Sequence, residues 1–353
     1  MFLPEVVNMA TGFTLGLFAN MYPAYDGDYK GIFIQQMVRD LEACGVIVKK
    51  AVKTSASVTG YVPFYYRSLL LARNNELDVM QAEYIPHSSI IPVLFRRKIC
   101  PLVLKFHGDD ARIFPFKNPF FKALTSVMIR HSDYVITSSE EIRVLLISIG
   151  AQPDKISSVH SGVDTEFFHP VPKEALRNDL ALPNDLITFV FIGRLHPWKG
   201  LNEIISVAGI CPEFRFIFLG PGTVPAHPEN CVFLGPKTPE DVRNWICASD
   251  CLLLPSYSEG SPTVIMEAFA CGIPVITTNV GGCPELVEPE KTGFLIPVRD
   301  IKALADAVNW MGTHSAERVK MGKHARSIAV ERFDHKKMVK KLMDIHLRLI
   351  NQH

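Results

Sequence analysis

Two neighbouring segments, Asp250-Cys-Leu-Leu-Leu-Pro-Ser256 and Glu259-Gly-Ser-Pro-Thr-Val-Ile-Met-Glu267, decide how this chain folds. The first reads as a buried strand running into a loop. In the second, a Gly-Ser-Pro turn leads into an apolar helix. Together they make the strand–loop–helix step of a βαβ unit. Glu259 then stands on the loop after the strand, and Glu267 about one turn inside the helix. A helix start presents unpaired N–H groups and the positive end of its dipole, so it attracts anions. One segment therefore offers donors to a phosphate and acceptors to hydroxyls, and a sugar nucleotide needs both.

The same alternation runs outward along all 353 residues. In the first half, the pattern predicts strands over 14–19, 46–52, 79–82, 102–106, 134–137 and 156–159. Helices are expected over 31–44, 64–73, 89–95, 119–131 and 139–149. A second series predicts strands over 188–192, 215–219, 231–234, 251–255, 274–277 and 294–296. Its helices are expected over 201–210, 239–248, 263–271, 282–287 and 301–311, and the tail from 316 is basic and helical in period. Between the series lie Gly162-Val-Asp-Thr-Glu-Phe-Phe-His-Pro170 and a charged, proline-containing stretch to Asp185, the best boundary on composition. The expected organisation is a domain over 1–168, a second over 169–332, and a C-terminal helix over 333–353. Two doubly wound α/β domains would face a cleft, with ligands beyond the carboxyl ends of the strands.

Hydrophobic residues make up 48% of the chain and charged residues 21%, as in a globular protein with a large core. The net charge of +1 gives no field for nucleic acid. None of the eight cysteines forms a CxxC pair, so buried free thiols in a reducing compartment are expected. No run approaches the ~18 apolar residues of a membrane span. The N-terminal segment lacks a basic leader and carries Glu5. A cytoplasmic protein is expected.

Three further segments carry candidate chemistry. In Phe191-Ile-Gly-Arg-Leu-His-Pro-Trp-Lys-Gly200, a strand ends at Gly193 and a loop follows with Arg194 and Lys199. Arginine offers a planar fork of donors to phosphate and lysine a compact charge; a solvated loop with two surface cations is an equal alternative. In Lys105-Phe-His-Gly-Asp-Asp110, His107 follows a strand and precedes a glycine turn, although a lone histidine is more often structural. In Met21-Tyr-Pro-Ala-Tyr-Asp-Gly-Asp-Tyr-Lys-Gly31, Gly27 and Gly31 allow a ligand close to the backbone. Asp26-Gly-Asp28 has the form of a metal motif but lacks supporting carboxylates, and no metal site is expected. Glu259 alone reads equally as a surface turn residue. Glu267, flanked by Val264, Ile265, Met266, Ala268 and Phe269, needs a partner, either ligand hydroxyls or a basic side chain. Gly220-Pro-Gly222 lacks the third glycine of a dinucleotide fingerprint, and no Walker A or nucleophile elbow is present.

Taken together, these segments resemble family 4 retaining glycosyltransferases of the GT-B type. The match rests on Gly193-Arg194…Lys199-Gly200, Glu259-x7-Glu267, Gly272-Ile-Pro-Val275, Gly281-Gly282-x-Pro-Glu285 and Thr292-Gly-Phe-Leu295. Ser161-Gly-Val-Asp164…Phe168-x-Pro170 matches the interdomain connection. The resemblance implies two Rossmann-like domains and a C-terminal helix that crosses back to the first. It implies transfer of a hexose-type sugar, with retention, from a nucleoside-diphosphate sugar to a glycan or lipid-linked acceptor, in polysaccharide or glycolipid biosynthesis. Arg194 and Lys199 would hold the diphosphate, Glu259 the sugar hydroxyls and Glu267 the ribose. Gly193, Gly260, Ser261, Pro262, Thr263 and Val264 would line the donor, with N–H groups from all of Ser261 to Val264 except Pro262. The family often has Asn where this chain has Thr263. His107 would sit near the sugar and acceptor, and the Gly27–Gly31 loop near the donor phosphates and the acceptor. No tightly bound cofactor and no metal are implied.

Two other readings remain: a GT-B protein that binds sugar nucleotides or glycans with weak catalysis, and a GT-B epimerase or phosphorylase. Phe95-Arg-Arg-Lys98 and Arg112-Ile-Phe-Pro-Phe-Lys117…Phe120-Phe-Lys122 mix basic and aromatic residues. Peripheral contact with the inner face of a membrane is the minor reading of these segments, and core or cleft wall the major one.

Overall fold

A computed structural model describes residues 12–25, 31–55, 57–96 and 100–353. The chain divides into two compact units, Met1–Val159 with Val339–His353, and His160–Met338. The first holds β1 (Thr14–Ala19), β2 (Ile47–Val52), β3 (Val79–Glu83), β4 (Leu102–Phe106), β5 (Tyr134–Thr137) and β6 (Ile156–Ser158). These six form a parallel sheet in the order β2-β1-β3-β4-β5-β6. The inner strands β1, β3, β4 and β5 are buried almost throughout because helices cover both faces of such sheets, whereas the edge strands β2 and β6 carry Lys49, Lys50, Ser157 and Ser158. Leu15 of β1 pairs with Val48 of β2 on one side and Val79 of β3 on the other.

The second unit holds β7 (Thr188–Ile192), β8 (Arg215–Leu219), β9 (Cys231–Gly235), β10 (Cys251–Leu254), β11 (Val275–Thr278) and β12 (Gly293–Ile296). Their order is β12-β11-β10-β7-β8-β9, again parallel. Strands run outward from the centre in both directions, so the order reverses between β7 and β10. A crevice opens at such a point because successive connections leave on opposite faces. Cross-strand phenylalanines fill one face: Phe189 stacks on Phe216 with ring centres 5.4 Å apart, and Phe191 meets Phe218 at 5.9 Å.

The stretch to Asp185 is not a plain linker. It carries the helix Lys173–Asp179, whose Arg177 is 2% exposed. Arg177 Nη2 donates to Asp250 Oδ2 at 2.7 Å, and Arg318 and Lys173 reach Oδ1 of the same carboxylate at 3.2 and 2.6 Å. A carboxylate this deep requires such partners. The tail forms Ser315–Ile328 and His335–Ile350, joined by a π-helical turn over Ala329–Phe333. The last helix groups with the first unit from Val339 onward, and its Arg348 lies 4.8 Å from the Tyr134 ring. Cys44 is exposed, the other seven cysteines are buried, and none of the eight is in a disulfide. Among the described residues, no helix is long and apolar enough to cross a membrane.

Candidate functional site

In the second unit, the sequence candidates gather where the strand order reverses. β7 and β10 are neighbours, with Phe189 opposite Cys251 and Val190 opposite Leu252. The loop after β7 therefore meets the loop after β10. Gly193 leaves the sheet and donates its N–H to Leu219 O at 2.9 Å. Gly200 has φ 72° and closes the turn over Pro197–Lys199. A Cβ there would lie 2.2 Å from Pro255 O, so only glycine lets the two loops pack this closely. Tyr257 N donates to Trp198 O at 2.8 Å and ties the loops again.

This packing sets Lys199 Nζ 2.7 Å from Glu259 Oε1. Glu259 is 8% exposed, while a third of the Lys199 side chain (32%) stays open. Arg194 is exposed and makes no hydrogen bond or ion pair among the described residues. Gly260, Ser261 and Pro262 form the turn into the helix Thr263–Ala270, which has no side-chain cap. Its first N–H groups, at Thr263 and Val264, are left for a ligand or water. His160 orients the turn: Nδ1 lies 3.2 Å from Ser261 Oγ, and Nε2 lies 3.7 Å from Glu285 Oε2.

Glu267 lies one turn into that helix, hydrogen-bonded to Thr263. Burial raises its carboxyl from the ordinary 4.5 to about 7, against the Thr263 bond, which lowers it. The residue keeps part of its surface open to solvent. No basic side chain pairs with it among the described residues, so the partner demanded by its apolar flanks is still to be supplied.

The first unit carries the other candidates. Gly31, at φ 71°, starts the helix Ile32–Ala43, and a Cβ there would lie 2.6 Å from Met21 O. Gly27 falls outside the described residues, as do Asp26 and Asp28. His107 follows β4, its ring centre 4.6 Å from that of Tyr84 and 4.9 Å from that of Phe33. Tyr84 holds φ 63°, an uncommon conformation for a bulky residue. Asp110 fixes the loop by accepting from the N–H groups of His107 (3.0 Å), Gly108 (2.8 Å) and Ile85 (3.2 Å).

Sequence reading missed the groups behind His107. Glu83, 0% exposed, meets His107 Nε2 with one carboxylate oxygen and the Gln81 side-chain amide with the other. Gln81 Oε1 lies 2.8 Å from His346 Nε2 on the C-terminal helix. The signal available was two polar residues, Gln81 and Glu83, in an apolar run. A surface groove of about 1000 Å³ along the edge strand β12, lined in part by Phe294, Leu295, Trp310 and Met321, contains none of these residues.

Comparison with known proteins bears on what such a site serves. A family model described as "Glycosyl transferases group 1" matches residues 172–328, and one described as "Glycosyltransferase Family 4" matches 22–167. A D-inositol 3-phosphate glycosyltransferase of Mycobacterium tuberculosis is 33% identical over 190 residues, covering 50% of this chain and 40% of that protein. The chain thus matches less than half the length of this curated relative. Among solved structures, a sucrose-phosphate synthase from Thermosynechococcus elongatus superposes with a TM-score of 0.82 at 18% identity, covering 97% of this chain and all of that one. Anabaena HepE, solved in complex with UDP and glucose, gives a TM-score of 0.75 at 20% identity, covering 94% of this chain and 99% of that one. At these identities the two structures establish the shared fold of two Rossmann-like domains.

The Glu267 carboxyl has a measurable consequence. Between 4.5 and about 7 the folded protein holds a proton that the unfolded chain has released. This group therefore makes stability fall as pH rises through that window. In urea unfolding curves taken across it, Glu267→Gln should flatten that decline. An unchanged pH profile, with the Glu267 carboxyl carbon titrating near 4.5 by NMR, would contradict the assignment.

Proposed function

This chain belongs to the family 4 glycosyltransferases of the GT-B type, and from that premise we propose that it transfers a hexose-type sugar from a nucleoside-diphosphate sugar to a glycan or lipid-linked acceptor. The observation that carries the proposal is the Lys199–Glu259 contact where the second sheet reverses its strand order, beside an uncapped helix start. Lys199, Arg194 and the Thr263 and Val264 N–H groups hold the diphosphate and take up the charge that grows on it as the sugar leaves. Glu259, touching Lys199, holds sugar hydroxyls next to that diphosphate. Glu267 accepts from the ribose hydroxyls, which lowers its carboxyl from the raised value and releases a proton on binding. His107 serves the sugar and acceptor, and the Gly27–Gly31 loop the donor phosphates and the acceptor.

The reaction proceeds with retention and without a metal, the two cationic side chains neutralising the diphosphate. The bond between anomeric carbon and phosphate oxygen breaks, and the departing diphosphate takes the acceptor's hydroxyl proton. The acceptor oxygen then bonds the anomeric carbon on the face just vacated. No nucleophilic carboxylate is assigned, so a trapped glycosyl-enzyme intermediate would contradict this route.

The test is release of nucleoside diphosphate from UDP- and GDP-sugars, in chelator, with candidate acceptors. One donor should turn over with the α- or β-configuration kept, and Arg194→Ala and Lys199→Ala should each lower kcat/KM by about 100-fold or more. Near-normal rates in both variants would overturn the assigned roles. Binding without turnover would favour a binding protein, and an epimerised donor an epimerase.

We further propose peripheral contact at the inner face of the membrane. On the helix Tyr61–Ala72, Val62, Tyr66 and Leu70 lie four apart on one face and are 74%, 64% and 56% exposed. Arg67 and Arg73 flank this stripe, and the helix carries no acidic residue. Phe95, Phe116 and Phe120 of the basic–aromatic segments are also exposed. The chain should sediment with phosphatidylglycerol-containing vesicles at low salt, and Val62→Asp with Leu70→Asp should abolish this. No sedimentation of the unaltered chain would remove the proposal.

A further inference from the structure

We infer that Glu83 is a positioning residue that holds His107 as its Nε2–H tautomer, leaving Nδ1 free to accept a hydrogen bond from a hydroxyl of the bound sugar. This rests on the proposed role of His107 at the sugar.

Behind His107 runs a chain of hydrogen bonds whose direction is forced at each link. It starts at His346, which is 0% exposed. Burial, with help from nearby Lys105, pushes this imidazole down to about 3, so it is neutral and has one N–H. Its Nε2 faces an amide oxygen, Gln81 Oε1, at 2.8 Å, so Nε2 carries the proton. Nδ1 of the same ring is buried with no partner among the described residues.

Gln81 has thereby committed its oxygen, and its NH2 must face Glu83. Glu83 is ionised. Burial alone would raise its carboxyl, but Lys105, His107 and the hydrogen bonds from His107 and Gln81 together hold it below the ordinary range. Lys105 is opposite Glu83 in the register of β3 and β4, and is itself 4% exposed. A carboxylate can only accept. One oxygen takes the Gln81 NH2, so the other requires a proton on His107 Nε2.

The His107 ring cannot readily turn away from this bond, because Phe33 and Tyr84 pack against it. Its Nδ1 makes no hydrogen bond among the described residues. Orientation by a partner on the far ring nitrogen is how imidazoles are set for substrate in many sites. Here the anchor extends to the last helix of the chain.

Long-range proton–nitrogen NMR on the histidine-labelled full chain, above the pH range of imidazole titration, tests this directly. His107 signals are assigned by their loss in His107→Gln. The proton should be on Nε2. In Glu83→Gln the new amide gives its oxygen to Gln81, so its NH2 faces His107 and moves the proton to Nδ1. That variant should lose roughly tenfold in kcat, with affinity for the free nucleoside diphosphate, which carries no sugar, unchanged. In a His107→Ala background the same substitution should cost nothing further.

A wild-type proton on Nδ1 overturns the inference, and so does an equal loss of kcat in both backgrounds. The wild-type spectrum needs no turnover. Failure of the sugar-transfer reading, visible as no turnover with any donor, therefore stays distinct from failure of this one.

Discussion

A lysine ammonium and a glutamate carboxylate 2.7 Å apart, Lys199 and Glu259, join two loops at the place where the second sheet reverses its strand order. Each requirement of that contact is met elsewhere in the unit. β7 and β10 must be neighbours, which the parallel order provides. The Lys199 turn must lie against Pro255, which Gly200 alone permits, since any Cβ would overlap that carbonyl. Asp250, at the far end of β10 from that loop, is held by Arg177, Arg318 and Lys173, so the strand does not begin on an unpaired buried charge. The contact is thus a product of the whole sheet.

Three carboxylates differ in how their surroundings satisfy them. Asp250 is surrounded by three cationic side chains. Glu83 is kept ionised against burial by Lys105, His107 and Gln81. Glu267 has only Thr263, and burial prevails, lifting it to about 7. The first two are satisfied by the protein itself. The third is left needing hydrogen-bond donors, which is the condition of a group waiting for a ligand.

Much of the architecture was legible because strand and helix periods are local. The boundaries of β1, β4, β5, β7 and β8 follow from apolar runs bounded by polar residues or glycine, and the strand–loop–helix step at Asp250–Glu267 placed Glu259 and Glu267 on the right elements. What stayed illegible depends on distant partners. β3 runs one residue past Ala82, and that residue is Glu83. An acid at the end of an apolar run reads as the start of a loop, and its burial depends on Lys105 and His107 in the next strand and loop. Lys173–Asp179 reads as a charged linker because Asp250, the partner of Arg177, lies 73 residues away. His346 is 265 residues from Gln81, and nothing in the local pattern of a basic tail marks it as buried. The resemblance gave Lys199 and Glu259 separate roles at one donor, and their direct contact, which needs the sheet order, had no signal in the sequence.

The central claim is that the loops after β7 and β10 form a nucleoside-diphosphate site. Calorimetric titration of UDP and GDP into the full chain, in chelator, tests it most directly, with Lys199→Ala titrated beside it. The account predicts saturable one-to-one binding of one of the two nucleotides, weakened by about tenfold or more when Lys199 is removed. Absence of binding by both, or binding that Lys199→Ala leaves untouched, would contradict it.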